Sequence, residues 1–434
     1  MRSIGGRVMT LFDEYRWRGM LQDATEGAEA AFDAEVQTAY VGFDPTAASL
    51  HVGHLLPIMG LVHLQRAGHR PIAVVGGGTG LIGDPSGKSE ERRLLTQDQV
   101  AANAERVRHQ LESFLDFEGV PNRARLVNNL EWLGDMSMLD FLRDVGKHFP
   151  VNTMLRKESV RRRLEDEAVG LSYTEFSYLL LQSYDFYRLL TDYGCRFQFG
   201  GSDQWGNITG GIELVRRMTG EKVYGAVFPL ITTASGVKFG KTEEGAVWLD
   251  PERTSPYRFY QYWVNTDDAD VGRYLRYFSL RPRSEIEGLE ESLRDRPQER
   301  EGQEALAAEM TERVHGTEGL TRARAATEVL FGGAEIEGLD AGEIADIFAD
   351  VPSSRVARRE LEGEGTGLVA LLADAGVTGS RGEARRGIEQ GGVYVNNRRV
   401  TDPRAQVTLD DAIEGRFLVL RRGKKRYHLV EIEA

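Results

Sequence analysis

The chain has 434 residues, 41% of them hydrophobic and 28% charged, with a formal charge of −13, as in a soluble globular protein of two to four domains. Its single cysteine, Cys195, excludes an intrachain disulfide and a cysteine-cluster zinc site. No window approaches the ~18 apolar residues of a membrane span and the N-terminus lacks a signal-peptide run, so we expect a cytoplasmic protein without membrane contact.

Strands and helices alternate in the first half of the chain. Thr38–Phe43 and Pro71–Val75 are predicted buried strands followed by glycine-rich turns, and Leu50–Arg66 and Gln97–Phe117 carry apolar residues at helical spacing. Cys195–Ile208 repeats the order of strand, glycine turn and helix. This alternation predicts an α/β fold with a Rossmann-like parallel sheet, whose ligands bind where the turns leave the carboxyl ends of the strands.

The character of the sequence changes after about residue 250. Ser255–Leu280 is rich in aromatic residues at helical spacing, which is more typical of a helical core than of a base-stacking surface, and charged helical stretches continue to about Phe331. From Gly365, two short helices lead into a strand and an Asn396-Asn397 turn. We therefore predict a sheet domain over 1–250, a helical domain over 251–335, a linker over 336–364 and a small α+β domain over 365–434.

Basic residues are concentrated near the C-terminus of this acidic chain. Between Arg381 and Arg426 there are twelve Lys or Arg residues against six Asp or Glu. Such an island is compatible with an ordinary solvated face or with an RNA-binding surface on one small module. Charge alone leaves both interpretations open.

Two glycine-rich patterns fail as known phosphate-binding motifs. Gly78, Gly80 and Gly83 form G-x-G-x-x-G after a predicted strand, but a charged stretch follows where a dinucleotide fold needs a helix and a second strand. The segment "GDPSGKS" lacks a glycine at Ile82, where a P-loop requires one.

The segment "PTAASLHVGH" places His51 and His54 at the start of a predicted helix. As metal ligands they lack a carboxylate nearby, because none lies between His51 and Asp84, and we predict no metal site. They are either plain polar residues at a helix start or imidazoles placed beside a phosphate by the positive end of the helix. Gly53 would let a nucleotide approach the backbone closely.

Several motifs together resemble one family. Residues 45–54 resemble the HIGH signature of class I aminoacyl-tRNA synthetases, and "KFGKT" (238–242) resembles their KMSKS loop in the form common in tyrosine-specific members. "YVGFDPTAASLHVGH", "GGGTGLIGDPSGKS" and "GGSDQWGNITGG" resemble the bacterial tyrosyl-tRNA synthetases, and the resemblance runs from about Tyr40 to the C-terminus.

The resemblance implies a homodimeric tyrosine–tRNA ligase. It would activate L-tyrosine with ATP to tyrosyl-adenylate and transfer tyrosine to the 3′ end of tRNA(Tyr). ATP is then a substrate that carries magnesium with it, and no tightly bound cofactor is expected. By the same resemblance, residues 1–250 form the catalytic domain, 251–335 an anticodon-stem-binding domain, and 365–434 an RNA-binding domain of ribosomal-protein type.

The resemblance also assigns roles to individual residues of this sequence. Groups around the leaving phosphates and the nucleotide are implied at Thr46, His51, His54, Lys88, Arg92, Lys238, Lys241 and Thr242. Tyrosine contacts are implied at Tyr40, Asp84, Tyr178, Gln182, Asp185 and Gln204. ATP contacts are implied at Gly42, Asp44, Gly53, Gly201, Asp203, Leu230, Ile231 and Lys241. RNA contacts are implied at Arg381, Arg385, Arg386, Arg398 and Arg399.

Residue spacing supports part of the tyrosine site. Tyr178, Gln182 and Asp185 follow at i, i+4 and i+7, which puts three polar side chains on one face of a helix. A buried pair formed by Tyr40 and Asp185 would hydrogen-bond the phenol oxygen and reject phenylalanine, because the pair would then be left unpaired.

Three alternatives remain open from the sequence. A tryptophan-specific class I relative would share the catalytic fold, although it needs no phenol-binding pair and usually lacks the appended RNA module. A catalytically inactive RNA-binding homologue is disfavoured by the presence of both histidines and both loop lysines. A redox enzyme with a bound dinucleotide would depend on the glycine pattern that fails above.

Overall fold

The computed structural model describes residues 3–4, 7–8, 10–84, 95–157, 160–161, 164, 171–234, 236, 239–242, 245–332, 336, 338–349, 351–423 and 426–433. For residues 3–4, 7–8, 241–242 and 331–332 it describes the backbone alone. The chain forms two compact units. The first unit is Met1–Arg253 with Asn265–Val314, and the second unit is Thr254–Val264 with His315–Ala434.

A six-stranded sheet forms the centre of the first unit. Its strands lie in the order Asp23–Ala24, Tyr224–Phe228, Phe197–Gly201, Thr38–Phe43, Arg70–Val75 and Arg125–Asn128. The edge strand Asp23–Ala24 is antiparallel to its neighbour, and the other five strands are mutually parallel. The strand order reverses between Thr38–Phe43 and Phe197–Gly201, so a ligand crevice is expected at the carboxyl ends of these two strands. The predicted parallel sheet is confirmed.

Apolar side chains bury both faces of this sheet. On one face, Tyr40, Ile72 and Val74 belong to the same buried cluster as Leu189 of the helix Tyr173–Tyr193. The residues between them in the strands are also buried and point to the other face, because side chains alternate along a strand. Sandwiching between helices explains why the strands are continuous apolar runs rather than alternating ones.

The first unit also contains the following helices and short pairs. Its α-helices are Leu11–Arg18, Ala28–Ala34, Leu55–Arg66, Thr79–Ile82, Gln97–Glu112, Leu130–Leu133, Met138–Asp140, Val151–Met154, Tyr173–Tyr193, Trp205–Thr219, Asp268–Phe278 and Arg283–Asp295. Shorter helical turns are Val52–His54, Phe141–Val145, Gly146–His148, Ser202–Gln204 and Pro297–Glu299. Two-stranded pairs are Ser3–Ile4 with Arg7–Val8 and Lys241–Thr242 with Gly245–Ala246.

The second unit is built on a five-stranded sheet. Its strands lie in the order Ser353–Ala357, Arg426–Glu433, Phe417–Arg422, Val393–Val395 and Arg398–Val400, and Thr366–Gly367 pairs separately with Gln406–Val407. Its helices are Pro256–Val264, Ala341–Ile347, Leu368–Asp374 and Arg381–Glu389, with short turns at Glu328–Gly332, Arg358–Glu360 and Leu409–Asp411. Leu418 and Leu420 pack into one buried cluster, and Phe417 and Val419 into another, so both faces of the central strand are covered.

The helix Glu301–Thr327 takes part in both units. Its backbone leaves the helical region at Gly316, where φ is 74° and ψ is 174°, next to the boundary between the units. The predicted helical domain over 251–335 is therefore shared between the two units, and Ser353–Ala357 of the predicted linker is a strand of the second sheet. The predicted functional division into four segments stays a prediction.

The Asn396-Asn397 turn lies where the sequence predicts it. Both residues have positive φ, 49° and 62°, a conformation that asparagine tolerates better than most residues. Asn396 also bonds the neighbouring strand, because its Oδ1 accepts from the Val419 amide (2.9 Å). Among the described residues, none of the helices combines the length and apolar character needed to cross a bilayer.

Candidate active site

The two histidines of "HVGH" cap the start of a helix with their own rings. His51 Nδ1 accepts from the Gly53 amide (3.0 Å), and His54 Nδ1 accepts from the His51 amide (3.1 Å). The turn Val52–His54 leads directly into the helix Leu55–Arg66. A neutral ring whose Nδ1 accepts a hydrogen bond carries its proton on Nε2. In this tautomer each ring presents an Nε2–H at the start of the helix; His54 Nδ1 also lies 3.3 Å from the His51 carbonyl oxygen, to which it would donate in the other tautomer.

Asp44 lies directly after the central strand Thr38–Phe43 and joins two other elements. Its Oδ1 accepts from Thr79 Oγ1 (2.6 Å) and its Oδ2 accepts from the Tyr178 hydroxyl (2.7 Å). A Cβ added at Gly76 would lie 2.0 Å from Asp44 Oδ1, so only glycine fits at that point of the neighbouring turn. The turn after the strand Arg70–Val75 and the helix Tyr173–Tyr193 thus both contact the carboxylate that follows the central strand.

Tyr178 sits among three of the predicted site carboxylates. Burial raises the pKa of its phenol well above the ordinary value, and Asp44, Asp84 and Asp185 raise it further. The hydroxyl consequently stays protonated and acts as a donor at neutral pH. The predicted helical stripe of Tyr178, Gln182 and Asp185 is present on the helix Tyr173–Tyr193, with Gln182 half-buried between two buried residues.

Two further predicted residues, Asp84 and Gln204, are brought together across the crevice. Gln204 Nε2 donates to Asp84 Oδ2 (2.6 Å), and Gln204 Oε1 accepts from Asn207 Nδ2 (3.1 Å). Asp84 is buried after the strand Arg70–Val75, and Gln204 ends the short turn after Phe197–Gly201. Residues 120 positions apart in sequence are therefore neighbours because their strands end at the same edge of the sheet.

The Asp185 carboxylate is buried and held by two neutral donors. Trp132 Nε1 donates to Oδ1 (2.7 Å), and Asn129 Nδ2 donates to Oδ2 (2.9 Å). Burial raises the pKa of Asp185 to about 7, while the hydrogen bonds from Asn129 and Trp132 act in the opposite direction. This site stabilises the carboxylate only in part.

Tyr40 lies beside Asp185 with its hydroxyl enclosed. Its side chain is 1% exposed, and within the part of the chain that the structure describes its hydroxyl has no hydrogen-bond partner. Burial raises the pKa of Tyr40 well above its ordinary value, and the Asp185 carboxylate raises it further. A buried unpaired hydroxyl is rare in native proteins and marks a position where a ligand can complete the hydrogen bonding.

Asn129, Trp132 and Thr79 are absent from the sequence prediction. Asn129 links them, because its Nδ2 also donates to Thr79 Oγ1 (3.0 Å) and its Oδ1 accepts from the Gly78 amide (2.8 Å). The available signal was weak: polar residues directly after the strand Arg125–Asn128, which ends at the crevice edge. That strand was not predicted, so its turn could not be assigned to the site.

The two signature segments are in direct contact. A Cβ added at Gly240 would lie 2.5 Å from Val52 Cγ2 and 3.3 Å from the Gly53 nitrogen, and Gly240 has a φ of +79°. Beyond the loop, the Val52 amide donates to the Val247 carbonyl (2.9 Å), and the Leu249 amide donates to the Leu50 carbonyl (2.9 Å). The backbone at Gly240 therefore borders the helix start that His51 and His54 cap.

The remaining predicted residues fall into three groups. Thr46 and Gly42 are exposed at the end of the central strand, with Thr46 donating its amide to the Asp44 carbonyl (2.8 Å). A Cβ added at Gly201 would lie 2.6 Å from Asp203 Oδ1 and 3.5 Å from Leu230 Cδ2, and Ile231 follows Leu230 at the same edge. Lys88, Arg92 and Lys238 lie outside the described residues, as do the side chains of Lys241 and Thr242.

No group of three or more His, Cys, Asp or Glu side chains positioned to hold a metal ion occurs within the described ranges.

The glycine pattern Gly78, Gly80 and Gly83 starts a helix of only four residues, Thr79–Ile82. It is used for packing, because a Cβ at Gly78 would lie 2.8 Å from Leu133 Cδ1.

Comparison with known proteins identifies the family. Residues 33–332 match the family of class I tRNA synthetases for W and Y, and residues 343–430 match the tyrosine–tRNA ligase SYY-like C-terminal domain. This chain belongs to the tyrosine–tRNA ligase family. The tyrosine–tRNA ligase of Roseiflexus castenholzii is 55% identical over 98% of this chain and 100% of its own length. That of Geobacillus stearothermophilus is 51% identical over 97% of this chain and 99% of its own length.

A solved structure supports the same assignment. The C-terminally truncated mitochondrial tyrosyl-tRNA synthetase of Aspergillus nidulans is 31% identical, with a TM-score of 0.68 over 75% of this chain and 95% of that chain. The predicted family, fold class and enzyme class are confirmed, and the tyrosine-specific C-terminal match favours this synthetase over the tryptophan-specific alternative.

The raised pKa of Asp185 predicts a pH-dependent contribution to stability. Between its ordinary pKa of 3.8 and its folded value of about 7, the folded state binds more protons than the unfolded state. Stability from this group is therefore complete below pH ~4 and is lost as the pH rises through about 7. Asp185→Asn should remove this loss, so the melting temperature of the variant relative to wild type should rise between pH 5 and pH 8.

The measurement is thermal unfolding of both proteins across that pH range. Asp192→Asn, on a more exposed carboxylate of the same helix, is the matched control and should follow wild type. Parallel curves for Asp185→Asn and wild type would show that Asp185 does not titrate in the folded protein.

Proposed function

We propose that this synthetase activates L-tyrosine with ATP, giving tyrosyl-adenylate and pyrophosphate, and then transfers the tyrosyl group to the 3′ end of tRNA(Tyr). The observation that carries the choice of amino acid is the buried pair Tyr40 and Asp185 below the carboxyl end of the central strand. The family and the names of its members support the same reaction.

The pair matches a phenol in its donors and acceptors. A substrate phenol would donate to the Asp185 carboxylate and accept from the Tyr40 hydroxyl, whose partner is otherwise missing among the described residues. Phenylalanine would leave the buried Tyr40 hydroxyl unsatisfied, at a cost of about 1–3 kcal/mol, and would give the Asp185 carboxylate no hydrogen bond beyond those from Asn129 and Trp132. Tyrosine is then preferred over phenylalanine because phenylalanine has no hydroxyl to make these hydrogen bonds.

The substrate ammonium would lie among Asp84, Tyr178 and Gln182. Gln204 holds Asp84, and Asp44 holds Tyr178, so the orientation of both first contacts is set before tyrosine arrives. The Gln204 side chain would then lie beside the aminoacyl group. Preorganised partners of this kind reduce the side-chain entropy lost on binding.

In adenylation, a tyrosine carboxylate oxygen attacks the α-phosphorus of ATP, and the bond from that phosphorus to the pyrophosphate oxygen breaks. The negative charge that develops on pyrophosphate needs donors already in place. His51 and Thr46 would donate to the leaving phosphates, and His54 would hold the nucleotide near its ribose. The support is that both ring Nε2–H groups lie at the positive end of a helix.

The nucleotide would extend along the turns around the switch point. Bare backbone at Gly42, Gly53 and Gly201 allows close approach, and the Asp203 carboxylate would accept from ribose hydroxyls. Leu230 and Ile231 would contact adenine, and Asp44 would lie below the α-phosphate end of the substrate. Lys88, Arg92, Lys238, Lys241 and Thr242 are proposed as phosphate contacts on the family resemblance.

Magnesium would arrive with ATP as part of the nucleotide substrate. The cytoplasmic location expected from the sequence is likewise a proposal, and fractionation of cells expressing the tagged chain measures it.

Tyrosine-dependent exchange of labelled pyrophosphate into ATP tests the proposed reaction. We expect exchange with tyrosine and none with tryptophan or phenylalanine. His51→Ala should lower the exchange rate by about 10²-fold, as for loss of one preorganised donor in a transition state. Tyrosine binding should stay near normal, because the tyrosine contacts lie on other elements.

His109→Ala is the matched control, since His109 is exposed on the helix Gln97–Glu112 and pairs with Glu112. Exchange with tryptophan alone would overturn the assignment of substrate. An unchanged rate in His51→Ala would remove this ring from the mechanism while leaving the assignment standing.

The second unit is proposed to bind tRNA through its basic surface. Arg381, Arg385 and Arg386 are exposed on the helix Arg381–Glu389, and Arg398 and Arg399 are exposed on a strand of the adjacent sheet. Exposed guanidinium groups suit the phosphates of a structured RNA. The positive charge of this surface, in a chain that is acidic overall, supports RNA binding over an ordinary solvated face.

Arg385→Glu should weaken tRNA charging and leave tyrosine-dependent pyrophosphate exchange unchanged. The slope of log affinity against log salt should become shallower by about one, as for loss of one phosphate contact. Filter binding of tRNA at several salt concentrations measures this. Arg404→Glu, a 91% exposed arginine side chain of the same unit outside the predicted set, is the control. Equal effects of the two variants would show that this unit attracts tRNA only through nonspecific positive charge.

A homodimer is proposed from an apolar surface on the first unit. Among the described residues of 138–173, seven large apolar side chains are exposed, which is unusual for the surface of a monomer. They are Met138, Leu139, Leu142, Val151, Leu155, Leu164 and Tyr173. A second copy of the chain would cover this surface about a twofold axis, the commonest symmetry of homo-oligomers.

Leu139→Asp should shift the synthetase from dimer to monomer, because it places a charge in the proposed interface. Sedimentation equilibrium gives the mass directly. Val36→Asp changes another exposed apolar side chain of the first unit, 55% exposed, and should leave the dimer intact. A Leu139→Asp protein that remains dimeric would place the interface elsewhere.

A further inference from the structure

The segment that leads into the "KFGKT" loop is tied to the helix Asp268–Phe278 by two hydrogen bonds. Asp270 Oδ2 accepts from the Ala234 amide (2.8 Å), and Arg273 Nη2 donates to the Thr232 carbonyl oxygen (2.6 Å). One bond takes a backbone donor and the other a backbone acceptor of the same short segment. Together they define both its position and its direction.

The two helix residues also hold each other. Arg273 Nη2 lies 2.6 Å from Asp270 Oδ1, and Asp270 is 3% exposed. Asp270 occupies the first turn of its helix, where the dipole favours a negative charge. A charge-assisted, buried acceptor of this kind is stronger and more directional than an exposed one.

The same helix face also contacts the chain at Phe239, the second residue of "KFGKT". Phe239 is 3% exposed, and its ring lies 4.9 Å from that of Tyr274 and 5.5 Å from that of Phe278. Asp270, Tyr274 and Phe278 follow at i, i+4 and i+8, so they share one face. The chain is thus attached at Ala234 and at Phe239, on either side of residues 235–238.

The attachments differ in what they can specify. An aromatic ring in an apolar pocket fixes burial but permits sliding and rotation, whereas hydrogen bonds to a backbone N–H and C=O fix register. Gly240, directly after Phe239, already contacts the Val52–Gly53 turn. A change in how the segment enters would therefore displace the chain at Phe239 and Gly240 relative to the turn that carries His51 and His54.

We propose that Asp270 and Arg273 are positioning residues for the "KFGKT" loop, acting through the Thr232–Ala234 backbone on the alignment of its lysines with the leaving phosphates. The inference rests on the proposed function, because it assumes that these lysines meet the pyrophosphate. It assigns to the helix Asp268–Phe278 a part in adenylation although none of its side chains needs to touch substrate.

Asp270→Ala and Arg273→Ala should each lower the kcat of tyrosine-dependent pyrophosphate exchange by about 10- to 100-fold, the range expected when reacting groups are misplaced by about 1 Å. The KM for tyrosine should stay within twofold, because the tyrosine contacts lie on other elements. The double variant should lose little more than either single variant, since the two residues act as one unit. Asp270→Asn should recover part of kcat, because its amide oxygen can still accept from the Ala234 amide.

Asp268→Ala is the matched control. Asp268 lies in the same helical turn and accepts from Gln303 Nε2 (2.6 Å), and no hydrogen bond joins it to the described residues of the loop segment. It should retain wild-type kcat, and it shows the effect of removing an acidic side chain from the first turn of this helix. Thermal unfolding and circular dichroism of each variant verify folding, and Arg273→Ala, whose side chain is 40% exposed, serves if Asp270→Ala does not fold.

The outcomes separate the two proposals. If the wild-type protein shows tyrosine-dependent exchange and folded Arg273→Ala has the same kcat, the positioning role is overturned and the proposed function stands. Equal kcat in the Asp268 and Asp270 variants also overturns it, as does a rise in the KM for tyrosine that accounts for the whole loss. Absence of tyrosine-dependent exchange in the wild-type protein would overturn the proposed function instead.

Discussion

The crevice depends on carboxylates that neutral donors hold in place. Thr79 and Tyr178 donate to Asp44, Gln204 donates to Asp84, and Asn129 and Trp132 donate to Asp185. Desolvation disfavours the charged form of a buried carboxylate, and burial raises the pKa of Asp185 to about 7. Negative charge that is only partly compensated by neutral donors favours a substrate that brings an ammonium and a phenolic O–H.

The parallel sheet makes this arrangement possible because five strands end at one edge. The turns after four of these strands contribute polar site groups, among them Asp44, Asp84, Asn129 and Gln204. The rings of His51 and His54 accept from backbone amides at the start of the helix that follows the central strand. Glycines at positions such as Gly76 and Gly240 allow neighbouring turns to approach to distances that a Cβ would block. Precise placement thus comes from packing constraints on the turns rather than from any one residue.

The family assignment and the geometry carry different parts of the argument. Sequence similarity over 97–98% of the chain establishes the family. It does not explain how the amino acid is selected or how the loop is oriented. The two proposals on these questions rest on the Tyr40 hydroxyl, which has no hydrogen-bond partner among the described residues, and on the contacts of Asp270 and Arg273 with the Thr232–Ala234 backbone. Each is a specific geometric relation between elements distant in sequence.

The sequence alone determined the strands Thr38–Phe43 and Arg70–Val75 nearly to the residue, the helix carrying Tyr178 and Asp185, and the motifs that identify the family. These are local patterns, set by side-chain periodicity and turn chemistry. Only the tertiary structure decided that Asn129 and Trp132 hold Asp185, that each histidine ring caps a backbone amide, and that Ser353–Ala357 joins the second sheet. Those relations depend on which strands become neighbours, and periodicity within one segment carries no information about its partner in space.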